Sequence, residues 1–214
     1  MSDNRPSAYA EGKTSIYRAS AAGHCITQLV AAKLGYKEDR FASAEKTLTN
    51  AAREGTLQED IIVQTLKEEY GWRVWGSQDE VEIRVIPRVV LRGHTDGQCI
   101  PKKARKERLL EVKTMSDARF KKWMASGTDV KTRLQSEEFY SYGVQISIYM
   151  RAYDDQSVMY VVKNRNSGEL YIEELKVPPV EWREIKKKII EDVASFSGSM
   201  AQYDDIALVV VKAV

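Results

Sequence analysis

Between residues 70 and 114 the chain changes its hydrophobic period, and this change limits the folds open to it. Leu57, Ile61, Ile62, Val63, Leu66 and Tyr70 recur at helical spacing, and Gly71 stops the run. Beyond it, Trp72–Trp75, Val81–Ile86, Val89–Thr95 and Arg108–Thr114 are rich in Val, Ile and Trp and read as strands. Helical patterns flank this meander. Upstream, after a polar arm over residues 1–12, lie Ile16–Leu34 and Phe41–Arg53. Downstream lie a Ser116-capped helix over Asp117–Ala125, a polar and mobile stretch over Ser126–Thr132, and a long helix over Glu137–Tyr153. Val158–Val162 and Glu169–Val177 form a hairpin around Lys163–Gly168, and Pro178 and Pro179 open a last helix to about Phe196. Regular βαβ alternation is absent. The expected class is therefore α/β (α+β), with a mixed central sheet flanked by helices on both faces. With no repeat or internal linker, residues 1–214 read as one domain.

Composition narrows the function. The 214 residues are 43% hydrophobic and 30% charged, the balance of a globular chain. No apolar run reaches 18 residues, and the Ile206–Val211 run is too short to span a bilayer, so neither a membrane span nor a secretory signal is expected. Only two cysteines, Cys25 and Cys99, and two histidines, His24 and His94, are present, which argues against zinc and iron–sulfur sites. Free thiols in a reducing cytoplasm are the simpler expectation. Glycine-rich phosphate loops and a Gly-x-Ser-x-Gly nucleophile elbow are missing. Charge is uneven: from Pro101 to Lys122 there are nine Lys or Arg against three Asp or Glu, a net of +6 in a chain whose total is +2. A basic stripe on a near-neutral protein suits a polyanion docking at one place, or simply a solvated face.

The stripe lies against a candidate site. Asp96 sits in Arg92-Gly93-His94-Thr95-Asp96-Gly97, where glycines permit a bend. Glu111 and Lys113 stand two apart in Leu109–Thr114, on one face of a strand. Asp/Glu-x-Lys occurs five times in the chain, led by Glu11, Glu111, Asp129, Glu174 and Glu184, so spacing alone has little weight. Glu184 and Lys186 fall in a helix, where that spacing does not share a face, and Glu11 and Asp129 fall in loops. Glu174–Lys176 is the strongest competitor. Burying Glu111 and Lys113 demands partners. A hard cation such as Mg²⁺ takes carboxylate and carbonyl oxygens and keeps several waters. Asp96, Glu111 and the Val112 carbonyl form such a donor set, beside which Lys113 can hold a water; the alternative is a partly buried ion pair. Glu59, in the first turn of its helix, is either a third carboxylate of the site or dipole compensation. Gln145 and Tyr149, one helical turn apart, either support the site or form a buried amide–hydroxyl pair. His94 either contacts the site or lies on the surface.

In order along the chain, Gly55-x-x-x-Glu59, Gly93-His94-Thr95-Asp96-Gly97, Glu111-Val112-Lys113 and Gln145-x-x-x-Tyr149 resemble the PD-(D/E)XK nucleases, in particular the RecB-like and lambda-exonuclease-like (YqaJ-type) viral enzymes. The resemblance runs from about Ser20 to Phe196. It implies a restriction-endonuclease-like core and Mg²⁺- or Mn²⁺-dependent DNA hydrolysis with one or two ions. In that reading Asp96, Glu111 and the Val112 carbonyl hold metal, and Glu59 is a further acidic residue near a second ion. Lys113 orients the water, Gln145 supports the site and Tyr149 lies beside it. Lys102, Lys103, Arg105, Lys106, Arg108, Arg119, Lys121 and Lys122 hold the phosphate backbone. Lys13 and Arg18 are the nearest matches to the arginine that lambda-type enzymes use for a terminal 5′-phosphate. Thr95 replaces the family's proline, and the four cysteines of the iron–sulfur members are absent. The resemblance further implies a phage-type recombination exonuclease in the host cytoplasm, a homo-oligomeric ring and a single-strand annealing protein as partner. An endonuclease of the same fold and a non-catalytic DNA-binding module are the rival readings.

Overall fold

The computed structural model describes residues 15–22, 57–86, 89–154 and 156–199. The expected arm over residues 1–12, the Phe41–Arg53 helix and the Ile206–Val211 run lie outside them. The described strands are β1 (Ser15–Arg18), β2 (Arg73–Trp75), β3 (Asp79–Ile86), β4 (Val89–Thr95), β5 (Gly97–Ile100), β6 (Arg108–Met115), β7 (Val158–Asn164) and β8 (Leu170–Leu175). The helices are α1 (residues 57–68), α2 (Asp117–Ala125), α3 (Val130–Gln135), α4 (Tyr140–Ala152) and α5 (Trp182–Ser199), with a 3₁₀ turn at Ala19–Ala21. Among the described residues no helix is long and apolar enough to cross a membrane.

The strands form two sheets that share one continuous stretch of chain. β1-β4-β3 make a three-stranded sheet, and β2-β5-β6-β7-β8 a five-stranded one. β6 and β7 run parallel, with Val112 level with Val161, while β5–β6 and β7–β8 are antiparallel. The sheet is mixed and carries helices on both faces, as the order of periodicities implies. β4 ends at Thr95 and β5 begins at Gly97. Asp96 alone therefore joins the two sheets, at the fork where β4 leaves the plane of β5 and β6.

Two apolar clusters cover the faces of the five-stranded sheet. On one, Leu109 and Met115 of β6 and Tyr160 and Val162 of β7 pack with α2, α4 and α5. At its centre the buried Trp123 ring stands edge-on to Phe139 at 5.2 Å and stacks on Tyr160 at 5.4 Å. On the other face, Leu110, Val112 and Val161 pack against Ile62 and Leu66 of α1, together with Trp72, Val74 and Cys99. Ile62 and Leu66 are one helical turn apart and fully buried, which docks α1; each such side chain contributes about 1.5–3 kcal/mol. Alternation along β6 thus turns Glu111 and Lys113 to the α4 face and Val112 to the α1 face.

Three local expectations change. Ile16–Arg18 is the end of a strand, not the start of a helix: the segment pairs in parallel with β4, Ile16 level with Val90, and ladder pairing overrides its weak helical pattern. β5 has no signal of its own, being four residues between a glycine and Pro101, and its pairing with both β2 and β6 makes it a strand. Val130–Gln135 is a short helix where a polar, mobile stretch was expected. Asp129 caps it, accepting from the Thr132 N–H at 2.9 Å in a reciprocal capping box. Asp129 is thereby a cap and no site residue. α2 spans Asp117–Ala125 as its Ser116 cap implies, with Ser116 Oγ accepting from the Arg119 N–H at 3.4 Å.

Candidate active site

Each layer contributes to a site at the fork. Asp96 occupies the bend, where its Oδ2 accepts a hydrogen bond from the Val112 N–H at 2.7 Å. One step beyond the paired residues Gly97 and Leu110, Asp96 comes level with Glu111. An extended residue turns its N–H and C=O to the same edge, so the Val112 carbonyl also faces the Asp96 side. The two neighbouring glycines have different tasks. Gly97 has φ +138°, and a Cβ there would lie 2.8 Å from the Trp75 carbonyl oxygen, so the bend requires glycine. Gly93 makes room across the layers, since a Cβ there would lie 2.6 Å from the Tyr149 hydroxyl.

Glu111 is 2% exposed, and its Oε1 is in ion-pair contact with Lys113 Nζ. Its buried Oε2 has no hydrogen-bond donor. On the α4 side, Gln145 Nε2 donates to the Tyr149 hydroxyl at 3.1 Å, so the amide–hydroxyl pair forms, and its hydroxyl lies in the field of Glu111 and Asp96. Glu59 reaches the same field from α1 on the other face. Burial, and then the neighbouring Asp96 carboxylate, raise its carboxyl from the ordinary 4.5 to about 7, with Lys113 opposing.

The electrostatics are frustrated. Burial also raises Glu111 to about 7, against the opposing pull of Lys113, and raises Asp96, which Lys113 and the Val112 N–H work to lower. Burial works against the charge on Lys113, but Glu111 and Asp96 outweigh it and hold the ammonium well above its usual range. Burial and Glu111 push the Tyr149 phenol up to about 12, so it stays protonated and can donate. Three carboxylates thus share one lysine. A divalent cation would remove that excess of negative charge and take the donor-free Glu111 oxygen, so the donor set fits Mg²⁺. Among the described residues no three His, Cys, Asp or Glu side chains converge tightly enough to enclose an ion alone. The Asp96 and Glu111 oxygens with the Val112 carbonyl are the groups that could hold such an ion.

Other expected residues fall at varying distances from this centre. His94 is exposed, with Nε2 3.9 Å from a Glu80 carboxylate oxygen, and the bend at Asp96 breaks the alternation that would have aligned the two residues. Lys102, Lys103, Arg105 and Lys106 are exposed on the loop between β5 and β6. Arg108 is instead held by Glu174 at 2.7 Å and by the Lys106 carbonyl at 2.7 Å, so its guanidinium is already engaged. Lys121 and Lys122 form exposed pairs with Asp117 and Glu138, weak enough to leave both cations available. Arg119 is exposed, its guanidinium 5.4 Å from the Tyr142 ring centre. Arg18 stands level with Arg92 at the end of β1, and Lys13 lies outside the described residues. Cys99 is buried, and burial pushes its thiol up to about 12, consistent with an inert free thiol.

Two aromatic residues at the site escaped sequence reasoning. The Tyr142 ring centre lies 5.5 Å from Lys113 Nζ; the spacing Tyr142, Gln145, Tyr149 is a helical stripe that could have revealed it. Tyr160, level with Glu111 on β7, is fully buried with a hydroxyl that has no partner. Only strand pairing could have placed it there.

The fold is a mixed sheet sandwiched by helices, forked at an acidic bend with a Glu-x-Lys strand beside it. No protein-family model and no curated protein matches the chain. Solved structures do. An alkaline exonuclease, LHK-Exo, from Laribacter hongkongensis has a TM-score of 0.56 at 14% identity, over 94% of this chain and 93% of that one. Its complex with dAMP gives 0.56 at 15% identity with the same coverage. The crystal structure of SSO0001 gives 0.53 at 15% identity, over 89% of this chain and 80% of that one. At such identities the likeness is one of fold. In fold the chain is similar to the alkaline exonuclease LHK-Exo over most of both chains.

Proposed function

We propose that the chain is a Mg²⁺-dependent deoxyribonuclease that removes nucleotides from DNA ends. The observation that carries this reading is the convergence of Asp96 and the buried Glu111–Lys113 pair at the fork, with Glu59 and Gln145–Tyr149 brought in from opposite faces. The exonuclease neighbours support the same reading at the level of fold.

When bound, Mg²⁺ supplies Lewis-acid stabilisation of phosphoryl charge and lowers the pKa of water. Asp96, Glu111 and the Val112 carbonyl would hold it, and Glu59 would bias a second ion. Lys113 carries a permanent positive charge against Glu111; it orients the attacking water and offsets negative charge developing on the phosphoryl oxygens. Water adds to phosphorus and gives up a proton to solvent, the ester P–O bond opposite breaks, and the leaving oxygen takes up a proton from solvent. Gln145 fixes the Tyr149 hydroxyl, which donates toward the carboxylate cluster. Lys102, Lys103, Arg105, Lys106, Arg119, Lys121 and Lys122 supply backbone attraction without base reading. A role in phage-type recombination in a host cytoplasm, a ring of identical subunits and an annealing partner belong to the same proposal.

The test is digestion of linear duplexes bearing 5′-phosphate, 5′-hydroxyl or blocked ends, and of closed circular DNA, with and without Mg²⁺. Metal-dependent loss of linear DNA with the circle intact is expected. Cutting of the circle would replace the exonuclease by an endonuclease, and no metal-dependent hydrolysis of any substrate would end the proposal.

A further inference from the structure

Glu59 belongs to the first turn of α1, yet among the described residues the buried apolar anchors of α1 lie outside that turn. Ile62 and Leu66, the buried anchors, lie further along the helix, and Leu57 is 63% exposed. Glu59 and Asp96 also repel each other. A polar contact ties the turn to the sheet: Lys163 Nζ donates to Gln58 Oε1 at 3.1 Å, across 105 residues of sequence. Lys163 lies on β7 level with Thr114, one strand over from Lys113, and shares the α1 face with Val161. Lys163 forms part of the wall of a cavity of about 280 Å³ with Ile62, Thr65, Glu69, Tyr70 and Leu170, and its ammonium reaches Gln58.

We infer that Lys163 is a positioning residue for Glu59, acting through Gln58. It clamps the first turn of α1 to the strand beside β6 and keeps the third carboxylate directed at the fork. The inference rests on the nuclease reading for its consequence, but the clamp itself is a property of the free protein. Supporting residues of this kind typically change activity 10–100-fold when removed, because small misplacements of a reacting group are costly.

The experiment uses the full chain with linear duplex DNA and Mg²⁺, comparing Lys163→Ala, Lys163→Arg, Gln58→Ala, Glu59→Gln and Lys163→Ala combined with Glu59→Gln. Lys163→Ala and Gln58→Ala are each expected to lower kcat about tenfold with KM nearly unchanged. Lys163→Arg restores most of the rate, and Lys163→Ala adds nothing once Glu59 is Gln. Hydrogen exchange without DNA or metal reads the clamp directly. The amides of Ile61, Ile62 and Val63, whose helical bonds close on residues 57, 58 and 59, exchange faster in both single variants. A raised KM and a weaker salt dependence in Lys163→Ala, with Gln58→Ala silent, would mean that Lys163 holds DNA directly and overturns the inference. Unchanged exchange at those amides in a protein that hydrolyses DNA overturns it alone. A wild type without hydrolysis removes the nuclease reading and, with it, the positioning role.

Discussion

Glu111–Lys113 and Glu174–Lys176 have the same spacing, and each glutamate lies in a strand of the same sheet, yet their chemistry is opposite. Glu174 is 27% exposed; burial works to raise its carboxyl, but Arg108 at 2.7 Å and Ser157 at 3.1 Å outweigh it and hold the group below its ordinary value. Lys176 lies past the end of β8 and is exposed. Glu111 sits on a strand covered on both faces, has one lysine for company and is raised to about 7 by burial. The second glutamate is a part-buried feature satisfied by Arg108 and Ser157. The first is an unsatisfied buried one, and unsatisfied buried charge is where perturbed acidity and function concentrate. Spacing sets the face; burial and partners set the reactivity.

The largest test of that contrast is Glu111→Gln against Glu174→Gln. The first should lower DNA hydrolysis by more than about 10³-fold while DNA binding by gel shift persists; the second should leave the rate within about twofold. The reverse pattern would move the active site to the hairpin. Next, Lys113→Gln should lower kcat by roughly 10²–10³-fold, with Lys176→Gln indistinguishable from wild type in the same steady-state assay.

A smaller effect lies in stability. Burial raises Glu59 and Glu111 above their ordinary 4.5, so the folded metal-free protein binds protons more tightly than the unfolded chain. That contribution is fully present below about 4.5 and is lost as pH rises through about 7. Melting curves without divalent ions should fall across this window, and Mg²⁺ should flatten the fall. Glu111→Gln should recover roughly 2–4 °C at pH 8 without metal. A metal-free protein whose melting temperature rises over that window relative to Glu111→Gln would contradict the assignment. Smallest of all, a double-mutant cycle of Arg108→Ala and Glu174→Ala should give a coupling of about 1 kcal/mol in urea unfolding, with activity unaffected by Glu174→Ala alone.

Much of the architecture was legible because it rests on local rules. The Ser116 cap located α2, and the Val- and Ile-rich alternation located β3, β4, β6 and β7 within a residue or two. β1 and β5 were not legible because each is four residues long and is a strand only through its neighbours. The candidate site divides along the same line. Asp96, Glu111, Lys113, Gln145 and Tyr149 come from motif order, and their approach to one another at the fork is a finding of the fold. Arg108 reads in sequence as one more phosphate contact, yet Glu174, 66 residues away, has claimed it. Tyr142 was recoverable from helical spacing; Tyr160 and Lys163 were not.

The residue order alone established a mixed α/β chain, a glycine-permitted bend at Asp96 and a Glu-x-Lys strand beside a basic loop, since period, caps and turn residues act over a few positions. It ranked Glu111–Lys113 above four equal spacings by context, but not by chemistry. The chemistry required the register of β6 against β7, the single-residue fork between two sheets, and the docking of α1 and α4 on opposite faces. Those contacts join residues as much as 105 positions apart, and they determine which carboxylates lose water and which gain a partner.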